Sequence, residues 1–161
     1  MALKIGDLAP DFTLKSKNIN GEIKEITLSS YKGKNVVLLF HPLVYTGVCT
    51  DEMCSISSGY EEYEKLNAQV LGISVDSFFA QEGWSKQYKI TFPLLSDFNK
   101  VVCGKYGTLY PDGVFLGMNG VSKRSAFVID KDGVIRYAEI LEDAGKLPDF
   151  DKIKNVLKSL N

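Results

Sequence analysis

Apolar residues in this chain arrive in short blocks whose spacing switches between that of buried strands and that of helices. "NVVLLFH" (35–41) and "QVLGISV" (69–75) are continuous apolar runs, the pattern of strands covered on both faces. "FPLLSD" reads as a third, shorter strand. "RSAFVID", "KDG" and "VIRYAEI" read as a hairpin, with Gly133 free to take the left-handed turn position. Near the N-terminus, "DFTL" and "EIKEITL" are extended stretches flanking the turn signal "NING", and "SSYKGK" predicts a brief helical turn closed by Gly33. Between these blocks the spacing is helical. One helix is predicted through "CTDEMCSISSGYEEYEKLN", one around "FFAQEGWSKQY", and a brief one in "NKVVCGKYG" stopped at Gly107. A last helix spans Asp149 to Leu160, with Phe150, Ile153, Val156, Leu157 and Leu160 on its apolar face. Strands alternating with helices and then a hairpin predict an α/β sheet, parallel at first and antiparallel at its end.

Composition changes this picture little. With 161 residues, 45% of them hydrophobic and 24% charged, the chain suits one well-buried domain over 1–161. No repeat, low-complexity tract or linker interrupts it. The net charge of −1 supplies no field for nucleic acid or an anionic membrane, and no apolar run approaches the length of a membrane span. The N-terminus has no apolar signal core, so a cytoplasmic location is expected. No phosphate-binding or dinucleotide glycine motif is present, so no cofactor is expected. Three cysteines are an odd number and do not form a disulfide framework.

The cysteines change the picture most. "HPLVYTGVCTDEMC" (41–54) holds Cys49, Cys54 and the only histidine, His41, between the C-terminal end of a buried strand and the start of a helix. In open α/β sheets, chemistry collects at such points. Helix N-termini favour the thiolate. Ionising a neutral thiol completely at pH 7 gains only about 30-fold, or about 2 kcal/mol. The larger share of any catalysis must come from donors aimed at developing charge. Thr46, three residues before Cys49, can present its hydroxyl to the sulfur or to a bound oxygen, and Pro42 stiffens the loop and shields the thiol from water. The amides of Val48 and Cys49 are free at the helix start. Of the two arginines, Arg124 opens the strand "RSAFVID", which places it beside the loop if the two strands are neighbours. Arg136, on the outer limb of the hairpin, is expected at the surface.

Pro42-x-x-x-Thr46-x-x-Cys49, with Glu52 following and Arg124 ahead of "RSAFVID", resembles the active-site pattern of the peroxiredoxins. The resemblance continues through "APDFTL", "KGKNVVLLF", "VLGISVD", "FPLLSD" and "KDGVIRY", and so covers nearly the whole chain. It implies a thioredoxin-like fold, a mixed central sheet flanked by helices with an N-terminal β extension. It also implies reduction of hydrogen peroxide and organic hydroperoxides through a Cys49 sulfenic acid. Thr46, Arg124 and the Cys49 amide would hold the peroxide, Glu52 would orient the arginine, and thioredoxin or a similar thiol would restore the enzyme. The Cys49-x-x-x-x-Cys54 spacing resembles the Q-type (bacterioferritin-comigratory) branch, where the second cysteine resolves the sulfenic acid. "TGVCT" resembles the one-cysteine E-type loop. A homodimer is expected, with the aromatic-rich "YPDGVFLGMNG" (110–120) as an exposed contact loop.

Plainer readings stand beside these. Cys54 and Cys103 can be small core residues, His41 a structural residue at a strand end, and Trp84 core or loop packing near the pocket. A zinc site from Cys49, Cys54, Cys103 and His41 would need a second close ligand pair, which the sequence lacks. A hydrolase would have to use His41 as its base. A redox sensor would share the first oxidation step without turnover.

Overall fold

The computed structural model describes residues 3–161. One seven-stranded sheet organises them: β1 (Thr13–Ser16), β2 (Lys24–Thr27), β3 (Asn35–Phe40), β4 (Ala68–Ser74), β5 (Leu94–Ser96), β6 (Ser125–Ile129) and β7 (Ile135–Ile140), in the order β2-β1-β5-β4-β3-β6-β7. β3, β4 and β5 run parallel, while β6 and β7 are antiparallel to their neighbours. The β1–β2 hairpin extends the β5 edge in antiparallel fashion. This mixed sheet with flanking helices is the expected thioredoxin-like arrangement with its N-terminal extension. The turn at 28–31 is a 3₁₀ helix, Gly33 beyond it has positive φ, and Gly133 takes the positive φ expected of it.

The apolar runs became strands because both faces of the sheet are covered. In β3, Val37 and Leu39 face one core while Val36, Leu38 and Phe40 face the other. The first core also takes Cys49, Met53 and Ile56 from α1 (Gly47–Ser58), Tyr63 from α2 (Tyr60–Lys65), Trp84 from α3 (Phe78–Tyr88), and Ile153 and Leu157 from α5 (Phe150–Ser159). The second takes Val102 and Cys103 from α4 (Val101–Lys105) with Phe12 and Tyr106. α5 starts where Asp149 caps the Lys152 amide at 3.1 Å.

The single helix predicted over 49–67 is two. It breaks at Gly59, whose φ of −104° and ψ of 18° leave the helical basin. It also begins two residues earlier than the sequence suggested, at Gly47, with Thr46 extended at the cap position. The expected contact loop does expose its apolar residues, with Leu116 84% accessible and Val114 62%.

Candidate active site

Two local rules bring the site together. Along α1 the buried residues are Cys49, Glu52, Met53 and Ile56, spaced i, i+3, i+4 and i+7. A carboxylate therefore sits in the apolar stripe directly beside the thiol. Across the sheet, β3 pairs antiparallel with β6 in a register that sets Phe40 opposite Ser125. Arg124 therefore lies at the end of β3, beside the loop that leads into α1. The Arg124 backbone is tied to the hairpin by the Leu141 amide, which donates to its carbonyl at 2.9 Å.

The guanidinium bridges the two α1 side chains. Nη2 donates to Cys49 Sγ at 3.3 Å, Nη1 donates to Glu52 Oε1 at 2.7 Å, and Nη2 also reaches the Ala144 carbonyl at 3.1 Å. Cys49 and Glu52 are fully buried and Arg124 is 1% exposed. Burial pushes the Glu52 carboxyl up to about 7, against the opposing pull of Arg124. Among the described residues, Glu52 Oε2 and Arg124 Nε have no hydrogen-bond partner.

The loop supplies the remaining groups. Pro42 is buried behind it. The Thr46 hydroxyl donates to the Leu43 carbonyl at 2.9 Å, so it does not cap α1, and its lone pairs remain to accept from a bound oxygen. Tyr45 adopts a left-handed φ of 65°. Val44 donates its amide to Asp76 Oδ2 at 3.0 Å, which fixes the loop to the turn after β4.

His41 is fully buried, its ring 5.4 Å from that of Trp84. Burial and then the Arg124 charge push its pKa down to about 3, only partly offset by the Leu39 backbone, and among the described residues neither ring nitrogen has a hydrogen bond of good geometry. It is a neutral residue at a strand end and poorly placed to be a hydrolytic base. Trp84 donates Nε1–H to Thr50 Oγ1 at 3.0 Å, so it packs against the residue next to Cys49.

Cys54 lies on the same helix as Cys49, half-buried, with Sγ 3.8 Å from the Tyr88 carbonyl. Burial and Asp51 push its thiol pKa up. Cys103 lies in the core on the other face of the sheet, so it cannot share a metal with Cys49. Among the described residues no group of three or more His, Cys, Asp or Glu side chains is placed to hold a metal ion, and no helix is long and apolar enough to cross a membrane. Arg136 is half-exposed and pairs with Asp130 at 2.6 Å, the surface role expected for it. Sequence reasoning missed the Ala144 carbonyl and Tyr63, whose buried hydroxyl has no partner among the described residues and whose pKa is raised by burial, Glu62, Asp151 and Glu52. A backbone carbonyl leaves no signal in side-chain chemistry, and Tyr63 reads as ordinary helix core.

A buried cysteine near the start of a helix, at the end of a central thioredoxin-like strand and beside an arginine, defines a thiol-based oxidoreductase. The model of the AhpC/TSA family matches residues 5–138. Peroxiredoxin-1 of Gekko japonicus is 41% identical over 143 residues, covering 84% of this chain and 69% of the relative. Peroxiredoxin-2 of Mus musculus is 40% identical over 144 residues, covering 85% and 69%. Among solved structures, AhpC of Mycobacterium tuberculosis superposes with a TM-score of 0.85 at 28% identity, covering 99% of this chain and 94% of that one. The reduced 2-Cys peroxiredoxin of Plasmodium vivax gives a TM-score of 0.85 at 27% identity, covering 96% and 80%. The chain therefore belongs to the AhpC/TSA family and is a peroxiredoxin, a thiol-dependent peroxidase.

Proposed function

We propose that the Cys49 thiolate attacks the distal oxygen of hydrogen peroxide or an organic hydroperoxide, becoming a sulfenic acid as water or alcohol leaves. The observation that supports this most directly is the Arg124 guanidinium, which donates to Cys49 Sγ at 3.3 Å while held by Glu52 at 2.7 Å. It presents a fixed cation where negative charge moves from sulfur to the departing oxygen. Thr46 accepts from the peroxide hydroxyl, the Cys49 amide supports the same oxygen, and Pro42 keeps water away. Residues 1–161 act as one domain.

Cys54 then resolves the sulfenic acid by an intramolecular Cys49–Cys54 disulfide. Five residues apart on a helix, the two Cα atoms are roughly 8.6 Å apart, beyond the span of about 7 Å that a disulfide tolerates. The first turns of α1 therefore open on oxidation. The break at Gly59 and the weak helix formers of "SISS" make that opening cheap. Thioredoxin or a similar thiol protein reduces the disulfide, in a reducing compartment such as the cytoplasm. The enzyme works without a cofactor, as a homodimer.

A second reading has its own support. In this structure Cys54 points to Tyr88 on an intact helix, and an external thiol would then reduce Cys49 directly. Intact mass after one equivalent of hydrogen peroxide with dimedone present, for wild type and Cys54→Ser, separates the two. Loss of two hydrogens in the wild type and a dimedone adduct in the variant is the expected result. An adduct in both makes this a one-cysteine enzyme, and no reaction at Cys49 overturns the reading.

A further inference from the structure

Resting on that peroxide reading of Cys49, we propose that Glu52 is the proton store of the active site, protonated while Cys49 is a thiolate and ionised once Cys49 is oxidised.

The argument is a count of buried charge. Cys49, Glu52 and Arg124 are together almost wholly removed from water, and one guanidinium stands between two acids. With the thiolate formed, an ionised Glu52 would leave the pocket with one uncompensated negative charge in a region of low polarisability, an arrangement that buried sites avoid by taking a proton. The other groups around Glu52 do not supply the missing positive charge. His41 at the end of β3 is neutral, and Tyr63 on α2 is a phenol whose ionisation is itself opposed by Glu52. Lys154 on α5, over the Tyr63 ring at 5.7 Å, is already paired with Glu62 at 3.0 Å. On the far side of Arg124, the Ala144 carbonyl adds only a dipole, and Tyr110 is a further phenol within reach of the Arg124 charge. The lone Oε2, with no partner among the described residues, is free to carry the proton. The upward push on this carboxyl, to about 7, agrees with the count.

Oxidation reverses the demand. The sulfur–oxygen bond forms as the oxygen–oxygen bond breaks. Sulfur is oxidised, the peroxide is reduced, and the departing alkoxide or hydroxide needs a proton. Glu52 gives up that proton and remains as carboxylate against Arg124, so the pocket is neutral before the step (thiolate, guanidinium, carboxylic acid) and neutral after it (sulfenic acid, guanidinium, carboxylate). In the return step two thiols are oxidised to a disulfide, the sulfenic oxygen leaves as water, and Cys49 is released as a thiol whose proton passes back to Glu52. The family's orienting glutamate is thus also the group that keeps a buried site free of net charge in both redox states.

The test is an infrared difference spectrum between the reduced protein and the protein oxidised by one equivalent of hydrogen peroxide, in the Cys54→Ser background, with a parallel sample trapped by dimedone. A protonated-carboxyl band lost on oxidation, and absent when Glu52→Gln is added, is the expected result. Glu52→Gln should also slow the peroxide reaction about 100-fold while alkylation of Cys49 by iodoacetamide stays near wild type, and should remove the fall in peroxide rate as pH rises through the Glu52 range. A dimedone adduct at Cys49 with no change in any carboxyl band overturns the proton store and leaves the peroxide reading standing. Absence of both adduct and band overturns the two together.

Discussion

Cys49 and Cys103 are both wholly buried, both carried on helices, and lie on opposite faces of one sheet, yet their neighbours are opposite in sign. Cys49 faces the Arg124 guanidinium at 3.3 Å. Cys103 faces Asp97, whose Oδ2 accepts the Cys103 amide at 2.7 Å, and burial and that carboxylate push its thiol pKa well above the ordinary range. Burial alone therefore says nothing about reactivity. On the proposed reading, the cation beside Cys49 is what makes that buried thiol a site, and the carboxylate beside Cys103 is what keeps the other a packing residue. The site also carries a charged network inside the core, whereas Asp97 is used to hold the first turn of α4.

The sharpest way to break this comparison is to remove each sulfur. Cys49→Ser is expected to abolish peroxide consumption, and Cys103→Ala to leave it unchanged, in a direct peroxide assay. Equal loss in both would erase the distinction. Next in size is the pH dependence of stability on the Cys49 face. His41 has a folded pKa of about 3 against 6.5 when exposed, so its contribution is present above pH 6.5 and is lost as pH falls toward 3. Denaturant unfolding of wild type and His41→Phe should diverge over that window by several kcal/mol, the wild type losing stability as pH falls, while Cys103→Ala should follow the wild-type pH dependence. Arg124→Met should lower the peroxide rate about 100- to 1000-fold, about 3–4 kcal/mol of barrier, read by stopped-flow. The smallest effect is expected at Asp97→Ala, which leaves the Val102 and Cys103 amides unpaired and costs about 1–3 kcal/mol of stability with no change in peroxide rate.

The sequence revealed more of the sheet than of the helices. β3 and β4 were legible because a strand covered on both faces must be apolar throughout, and the hairpin because its turn needs Gly133. The break at Gly59 was not legible, since helical spacing runs on through "GYEEYEKL" and one glycine is tolerated in many helices. In the site, the proximity of Arg124 to Cys49 followed only if β3 and β6 were neighbours, which is a matter of topology. Thr46 could be picked out from the sequence as a candidate site group, but the direction of its hydroxyl could not, because its partner is a backbone carbonyl three residues back. Arg124's third contact belongs to Ala144, a residue with no polar side chain to mark it.

The chain has one tryptophan, and its indole N–H is held by Thr50, the residue after Cys49. That bond makes Trp84 an optical gauge built into the protein. If the first turns of α1 unwind during the catalytic cycle, the indole loses its partner and its surroundings together, and the emission of an unlabelled sample shifts in step with the chemistry. Each turnover would then announce itself in fluorescence, with Thr50→Val separating the part due to the lost hydrogen bond from the part due to changed packing.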